Sequence, residues 1–183
     1  MKIVGITGTL GAGKGTGTIV EYLVKEKGFK HFSVRDYLIR EINKRGMTVN
    51  RDSMTMVAND MRAKNNPAFI IEELYREAVK SGKNSIIESI RTPGEIEFLR
   101  KQGNFILLAV DAEARLRYDR ISLRASETDK IDFRTFLANE KREMTSFDIN
   151  KQNLSRCIDM ADIVLKNNGS IEELISQIPD FQD

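Results

Sequence analysis

The chain has 183 residues and a mass of 20.8 kDa, enough for one domain with a substantial core and too short for two ordinary ones. Charged residues make up 31% and apolar residues 40%, and no apolar run approaches the roughly 20 residues of a membrane span, so a soluble protein with no membrane partner is expected. The net charge of +2 is spread along the chain and not gathered in a basic block, which argues against a nucleic-acid surface, while the single Cys157 excludes an intramolecular disulfide and favours a reducing cytoplasm.

The first element is Lys2–Thr7, an apolar, β-branched run that predicts a buried strand and does not resemble a signal peptide. It is followed by Gly8-Thr9-Leu10-Gly11-Ala12-Gly13-Lys14-Gly15-Thr16 and then by a helical pattern. Glycines at 8, 11 and 13 permit positive φ, which lets successive backbone N–H groups converge on phosphate oxygens. Lys14 adds a point charge for the β- and γ-phosphates. The usual pattern G-x-x-x-x-G-K-[ST] is altered, because Gly15 follows the lysine and Thr16 comes one place later. Metal binding must then lean on carboxylates and water.

His31–Ser33 predicts the second strand, and Ser33 and Asp36 are spaced as a helix cap at its carboxyl end. Strand ends of this kind are also where parallel α/β sheets hold ligands, so Asp36 reads equally as cap and as site residue. About fifty residues of mostly helical pattern then precede the strand at Ser85–Glu88, more than one crossover helix needs. This surplus, residues 34–80, is a candidate insert. Within it Met54, Met56 and Met61 with Val57 read first as helix packing and second as the lining of an adaptable ligand pocket, while Phe69, Ile70, Leu74 and Tyr75 fall at helical spacing and read as core.

Glu88 ends its strand and Arg91 follows in the turn, placing a carboxylate suited to hydrated Mg²⁺ beside a guanidinium suited to phosphate. Phe105–Val110 and Ile163–Lys166 complete five strands, a parallel sheet in the alternating α/β pattern. Helix starts are predicted after Asn66 at Pro67, at Thr92-Pro93, at Asp111 before Ala112, at Asp132 before Phe133 and at Ser170-x-x-Glu173, with stops at Gly82 and Gly103. Arg117, Arg120 and Arg124 share one helix face ahead of a polar loop, an arrangement that reads as a solvated stripe or as cations closing over a transferring group. His31 reads as an edge or core histidine, and Cys157 has no claim to nucleophilic chemistry.

Taken together, these residues resemble the nucleoside monophosphate kinase family, adenylate kinase-like proteins in particular. Gly8–Thr16 is similar to the family's phosphate loop with its Lys-Gly-Thr ending, Glu88-x-x-Arg91-Thr92 to a shortened Asp-Gly-Phe-Pro-Arg-Thr motif, and Asp119-Arg120-Ile121-x-x-Arg124 to the arginine pair at the lid entrance. The chain departs from it at Ile39, where an arginine is usual, at Val34-Arg35, where Thr-Gly is usual, and in a short, cysteine-free stretch from Ala125 to Asp132. The Asp36-to-Arg40 spacing and the stretch around Asn168-Gly169 are closer to dephospho-CoA kinases, and the layout also resembles archaeal adenylate kinase-related proteins.

The resemblance implies a three-layer α/β/α P-loop kinase domain spanning 1–183, with a helical acceptor-binding insert at 34–80 and a short lid at 120–145. It implies Mg·ATP-dependent transfer to a nucleoside or deoxynucleoside monophosphate, with dephospho-CoA as the alternative acceptor and a regulatory ATPase as a further alternative. Gly8, Gly11, Ala12, Gly13, Lys14, Gly15 and Thr16 would hold ATP, with Asn168 and Gly169 near its base. Thr16, Asp36 and Glu88 would serve Mg²⁺, Asp36, Arg40 and Arg91 the acceptor, and Lys14, Asp36, Arg120 and Arg124 the transfer, with Arg134 or Arg142 as possible further cations. Partners are expected to be small nucleotides, with the chain a monomer or homodimer.

Overall fold

A computed structural model describes residues 1–15, 18–124 and 130–181, with the side chain of Arg124 outside that description. Five strands, β1 (Ile3–Gly8), β2 (Lys30–Ser33), β3 (Ser85–Glu88), β4 (Phe105–Asp111) and β5 (Ile163–Lys166), form one parallel sheet in the order β2-β3-β1-β4-β5. Helices α1 (Ile19–Lys25), α2 (Val34–Lys44), α3 (Arg51–Lys64), α4 (Phe69–Ser81), α5 (Pro93–Lys101), α6 (Ala114–Arg124), α7 (Phe133–Met144), α8 (Leu154–Asp159) and α9 (Ile171–Ser176) complete the described chain. This is the P-loop kinase fold, with helices on both sides of the sheet.

The two-residue period of a strand divides the core. Ile86 joins Leu23, Leu108, Leu165 and Leu174 in the layer beneath α1 and α9, while its neighbour Ile87 joins Ile70, Ile96, Leu107 and Cys157 in the layer beneath α4, α5 and α8. Each fully buried isoleucine or leucine contributes roughly 1.5–3 kcal/mol of hydrophobic stabilisation. Central β1 is buried along its whole length, as apolar Ile3-Val4-Gly5-Ile6 requires. Edge strand β5 leaves Val164 and Lys166 exposed.

All five predicted strands form, with ends shifted by one residue at most. Thr92-Pro93 and Ser170-x-x-Glu173 make complete capping boxes, Asp132 caps α7, and Gly82 closes α4 in the left-handed conformation. Two predicted starts are displaced. Asn66 Oδ1 accepts from Ala68 N (2.8 Å) and α4 begins at Phe69, beyond the Pro67 turn. Asp111 caps no helix: it ends β4, opposite Lys166, whose ammonium it holds at 2.8 Å, and α6 begins at Ala114. The surplus after β2 consists of α2, α3 and α4.

The register brings Gly8, Ser33, Glu88 and Asp111 to one edge of the sheet, between strands whose onward connections leave β1 and β3 in opposite directions. Ligand crevices of open α/β sheets lie at such points. Gly8 must be glycine here, since φ is +127° and a Cβ would lie 2.0 Å from the Val110 carbonyl oxygen. Gly8→Ala should therefore cost roughly 1–3 kcal/mol in backbone strain alone, lowering Tm by at least about 3 °C in a thermal melt.

Candidate active site

The loop after β1 is built from its glycines. Gly11 (φ +78°) approaches the Arg117 carbonyl, where a Cβ would sit 2.4 Å from the oxygen, and Gly13 (φ +86°) leaves room for Asn167 Nδ2, which a Cβ would meet at 2.3 Å. Asn167 Nδ2 donates to Ala12 O at 2.8 Å, and Thr18 Oγ1 donates to Gly13 O and Gly15 O at 2.5 and 2.8 Å. Lys14 Nζ donates to Gly8 O and Thr9 O at 2.5 and 2.8 Å, so the ammonium lies within the curl of its own loop. Burial, reinforced by the Arg91 guanidinium, pulls its pKa from 10.5 down to about 7.

The loop opens into a cleft of about 550 Å³. Its floor is Glu88 at the end of β3. Ser33 Oγ donates to Glu88 Oε1 at 3.2 Å, and His31 Nε2 stands 3.7 Å from the same oxygen. Burial pushes the Glu88 carboxyl up, but contact with His31, the charge of Lys14 and the Ser33 hydroxyl outweigh it and hold the group below the usual carboxylate range. The next residue, Ser89, also lines the cleft and has φ +69°, a left-handed conformation unusual for a residue with a Cβ.

Asp36 lines the cleft at the start of α2, where its backbone N–H donates to Ser33 Oγ at 3.2 Å, so the capping and site readings are both compatible with its position. Arg120 lines it from α6, held by bonds from Nη1 to Asn167 O (2.9 Å) and from Nη2 to Asn167 Oδ1 (3.3 Å). Arg91 lines it with Nη1 on Glu143 Oε2 (2.6 Å) and Gln152 Oε1 (2.8 Å). Gly11, Ala12, Gly13, Lys14 and Gly15 lie in the same wall.

Other expected residues do not join them. Arg40 points away, 3.6 Å from Glu77 and over the Tyr37 ring, because its place on α2 lies on the solvent side of the helix. Asn168 accepts from the Glu113 backbone N–H, and Gly169 abuts Glu173 in the cap of α9; neither lines the cleft. Their neighbour Asn167, buried, is the residue of that stretch that bonds to the phosphate loop, through Ala12 O. Arg134 is exposed, and Arg142 turns outward to Asp52. The expectations for Thr16 and for the Arg124 side chain lie outside the described residues.

Arg117, first in the stripe, is a structural pin. It is buried, donates to Ala112 O (2.7 Å) and Leu10 O (3.2 Å), and makes a two-pronged ion pair with Glu140 of α7. Sequence reasoning passed over Arg51, Arg62, Glu143 and Gln152, which line the cleft together with Arg35 and Met54. A signal existed for two of them. Arg62 follows Val57, Ala58 and Met61 on the buried stripe of α3, and Glu143 stands seven residues after Phe136 on that of α7, where a charge is costly unless paired. Both are paired, Arg62 with Glu95 at 2.8 Å and Glu143 with Arg51 and Arg91. Cys157 is buried, which pushes its thiol pKa up and leaves it inert. Among the described residues no cluster of three His, Cys, Asp or Glu groups suits a metal, and no helix is long and apolar enough to cross a membrane.

A family model described as an AAA domain matches residues 4–148. The chain is 29% identical over 180 residues to a UPF0200 protein of Pyrobaculum aerophilum, covering 97% of this chain and 95% of that relative. Among solved structures it is similar to a gluconokinase from Sinorhizobium meliloti (TM-score 0.57, 11% identity, covering 96% of this chain and 88% of that one). It is also similar to the shikimate kinase of Bacteroides thetaiotaomicron (TM-score 0.54, 12% identity, covering 96% and 94%). These two likenesses concern the fold.

Proposed function

The chain belongs to the AAA-domain family AAA_18, and from that premise we propose that it transfers the γ-phosphoryl group of Mg·ATP to a small phosphorylated acceptor, a nucleoside or deoxynucleoside monophosphate. The carrying observation is that one cleft joins a phosphate loop and Lys14 on one side to an arginine-rich wall, Arg35, Arg51, Arg62 and Arg91, on the other. A cleft that only hydrolysed nucleotide would have no use for the second wall.

Backbone N–H groups of the loop and Lys14 would hold the donor phosphates, and Arg120 would screen charge at transfer. Arg91 would take the acceptor's phosphate, with α2 to α4 as the acceptor-binding arm and the stretch from 120 to 145 as the lid. The residues present fit a hydrated Mg²⁺: the Glu88 carboxylate, held below the usual carboxylate range, lies beside the loop with its Oε2 4.0 Å from where a Gly15 Cβ would be, and one or two carboxylates plus phosphates suffice for this ion. Glu88 and Asp36 would orient its water shell, and the ion would supply charge neutralisation across the β- and γ-phosphates. No covalent intermediate on the protein is needed.

Incubating the protein with Mg·ATP and a panel of nucleoside monophosphates, deoxynucleotides and dephospho-CoA, with products identified by mass, tests this reading. ATP loss that no acceptor stimulates would sink it, and phosphorylation of dephospho-CoA alone would move the acceptor from a phosphate to a hydroxyl.

The lowered pKa of Lys14 carries its own consequence. Polyanionic phosphates must raise it, so nucleotide binding at about pH 8 should take up close to one proton, seen as a dependence of calorimetric binding heat on buffer ionisation enthalpy. A binding heat independent of buffer would be incompatible with a neutral Lys14 in the free protein. Because folding lowers this pKa from 10.5 to about 7, the folded chain binds fewer protons than the unfolded one in between, and this group's contribution to stability rises with pH across that window.

A further inference from the structure

Two guanidinium groups on the acceptor side carry a buried N–H with no partner, Nε of Arg51 and Nη1 of Arg62. Both residues line the cleft, and Arg62 is only 1% exposed. Buried donors are nearly always paired, so two orphans in one wall mark a place built for oxygen atoms that arrive from outside.

Arg91 belongs to the same cluster. Glu95 Oε1 accepts from Arg62 Nε (3.1 Å) and Nη2 (2.8 Å), while its Oε2 accepts from the backbone N–H groups of Arg91 (2.7 Å) and Thr92 (3.0 Å). Across the cleft, Glu143 ties Arg51 to Arg91, Oε1 to the first and Oε2 to the second. Burial pushes the Glu143 carboxyl up, but Arg91 and Arg51 outweigh it, so it is a true anion with an oxygen on each guanidinium. Three arginines set against Glu95 leave two positive charges, which Glu143 neutralises only in half.

We propose that Arg51, Arg62 and Arg91 form a subsite for a phosphate monoester dianion, and that the Glu143 carboxylate stands in this subsite until the acceptor's phosphate displaces it. The assignment of that phosphate to an acceptor rests on the phosphotransferase reading above; the subsite itself does not. Two negative charges match the two positive charges left by Glu95, and phosphate oxygens reach the orphan donors that a single carboxylate leaves unmet. Arg91 keeps Gln152 as a neutral partner throughout. Glu143 lies in the last turn of α7, whereas Glu140 one turn earlier stays clamped by Arg117, so displacement frees the carboxyl end of α7 and leaves its middle anchored beside the loop. Acceptor binding is thereby coupled to movement of the carboxyl end of α7, within the stretch read as the lid.

Inorganic phosphate titrated calorimetrically into the full-length protein and its Glu143→Gln variant tests this without turnover. The amide keeps the shape and removes the competing charge, so Glu143→Gln should bind phosphate at least about tenfold more tightly than the parent, and adding Arg51→Gln should abolish the gain. Binding at the phosphate loop is common to all three proteins and cannot produce that pattern. Equal affinity in parent and Glu143→Gln would overturn the proposal. Should Glu143→Gln fail to fold, hydrogen exchange in the parent decides: saturating phosphate should speed exchange over residues 141–144, and unchanged exchange there would overturn it. The tenfold gain in Glu143→Gln together with a parent protein that transfers phosphoryl to no acceptor would refute the proposed function and leave the subsite standing.

Discussion

Lys14→Met should leave the chain folded, with a Tm within about 3 °C of the parent, and lower phosphoryl transfer by roughly 10²–10³-fold or more. The two halves of this result have one cause. An ammonium held without an anion inside the loop is disfavoured by burial and by Arg91, as its pKa near 7 shows, so removing it relieves a cost that offsets the lost bonds to Gly8 O and Thr9 O. Methionine retains most of the side-chain volume. Once triphosphate is bound, the same buried position lets the charge act in a low dielectric on the group being transferred. Retained activity in a folded Lys14→Met protein, measured by mass-resolved product formation, would show that the loop does not hold the donor. A collapsed Tm would show instead that Lys14 is structural.

Glu95→Ala should be the most damaging single change to stability, costing roughly 3–5 kcal/mol, which for a chain of this size lowers Tm by roughly 6–20 °C. Glu95 is 0% exposed and serves three partners at once: the Arg62 guanidinium and the backbone N–H groups of Arg91 and Thr92. Its loss leaves Arg62 charged and unpaired in the core, removes the capping box of α5 and loosens the turn that aims Arg91 into the cleft. Adding Arg62→Met should recover a substantial part of the stability, because an apolar pair of similar volume tolerates burial where a lone charge does not. The cap and the Arg91 turn would remain broken, so activity should stay low while Tm rises. A Glu95→Ala protein with unchanged Tm would mean that water reaches Arg62 freely.

How much of this was legible beforehand depended on whether a residue's role is local. Lys2–Thr7 announces a buried strand through its β-branched run, and Gly8, Gly11 and Gly13 announce their positive φ because no other residue adopts it so readily. Thr92, Asp132 and Ser170 cap helices through bonds to residues three places on. Asp111 misled because α6 begins only at Ala114, so its carboxylate, besides the adjacent Ala112 N–H, serves a partner far along the chain, Lys166. Arg40 was attractive by spacing from Asp36, yet a full turn further along α2 carries its guanidinium past the cleft to Glu77 and the Tyr37 ring at the surface.

The amino-acid sequence by itself determined the parallel sheet, the phosphate loop and the presence of Asp36, Glu88 and Arg91 at strand ends, since each follows from backbone preference or from a periodicity contained within a few residues. Only the tertiary structure decided which charges meet. Arg51 and Arg62 from α3, Arg91 after β3 and Glu143 from α7 lie up to 92 positions apart and share one cleft. Asn167 rather than Asn168 reaches the loop. Those pairings depend on how helices cross the carboxyl edge of the sheet, and long-range electrostatics, unlike a cap or a turn, leaves no pattern in neighbouring residues.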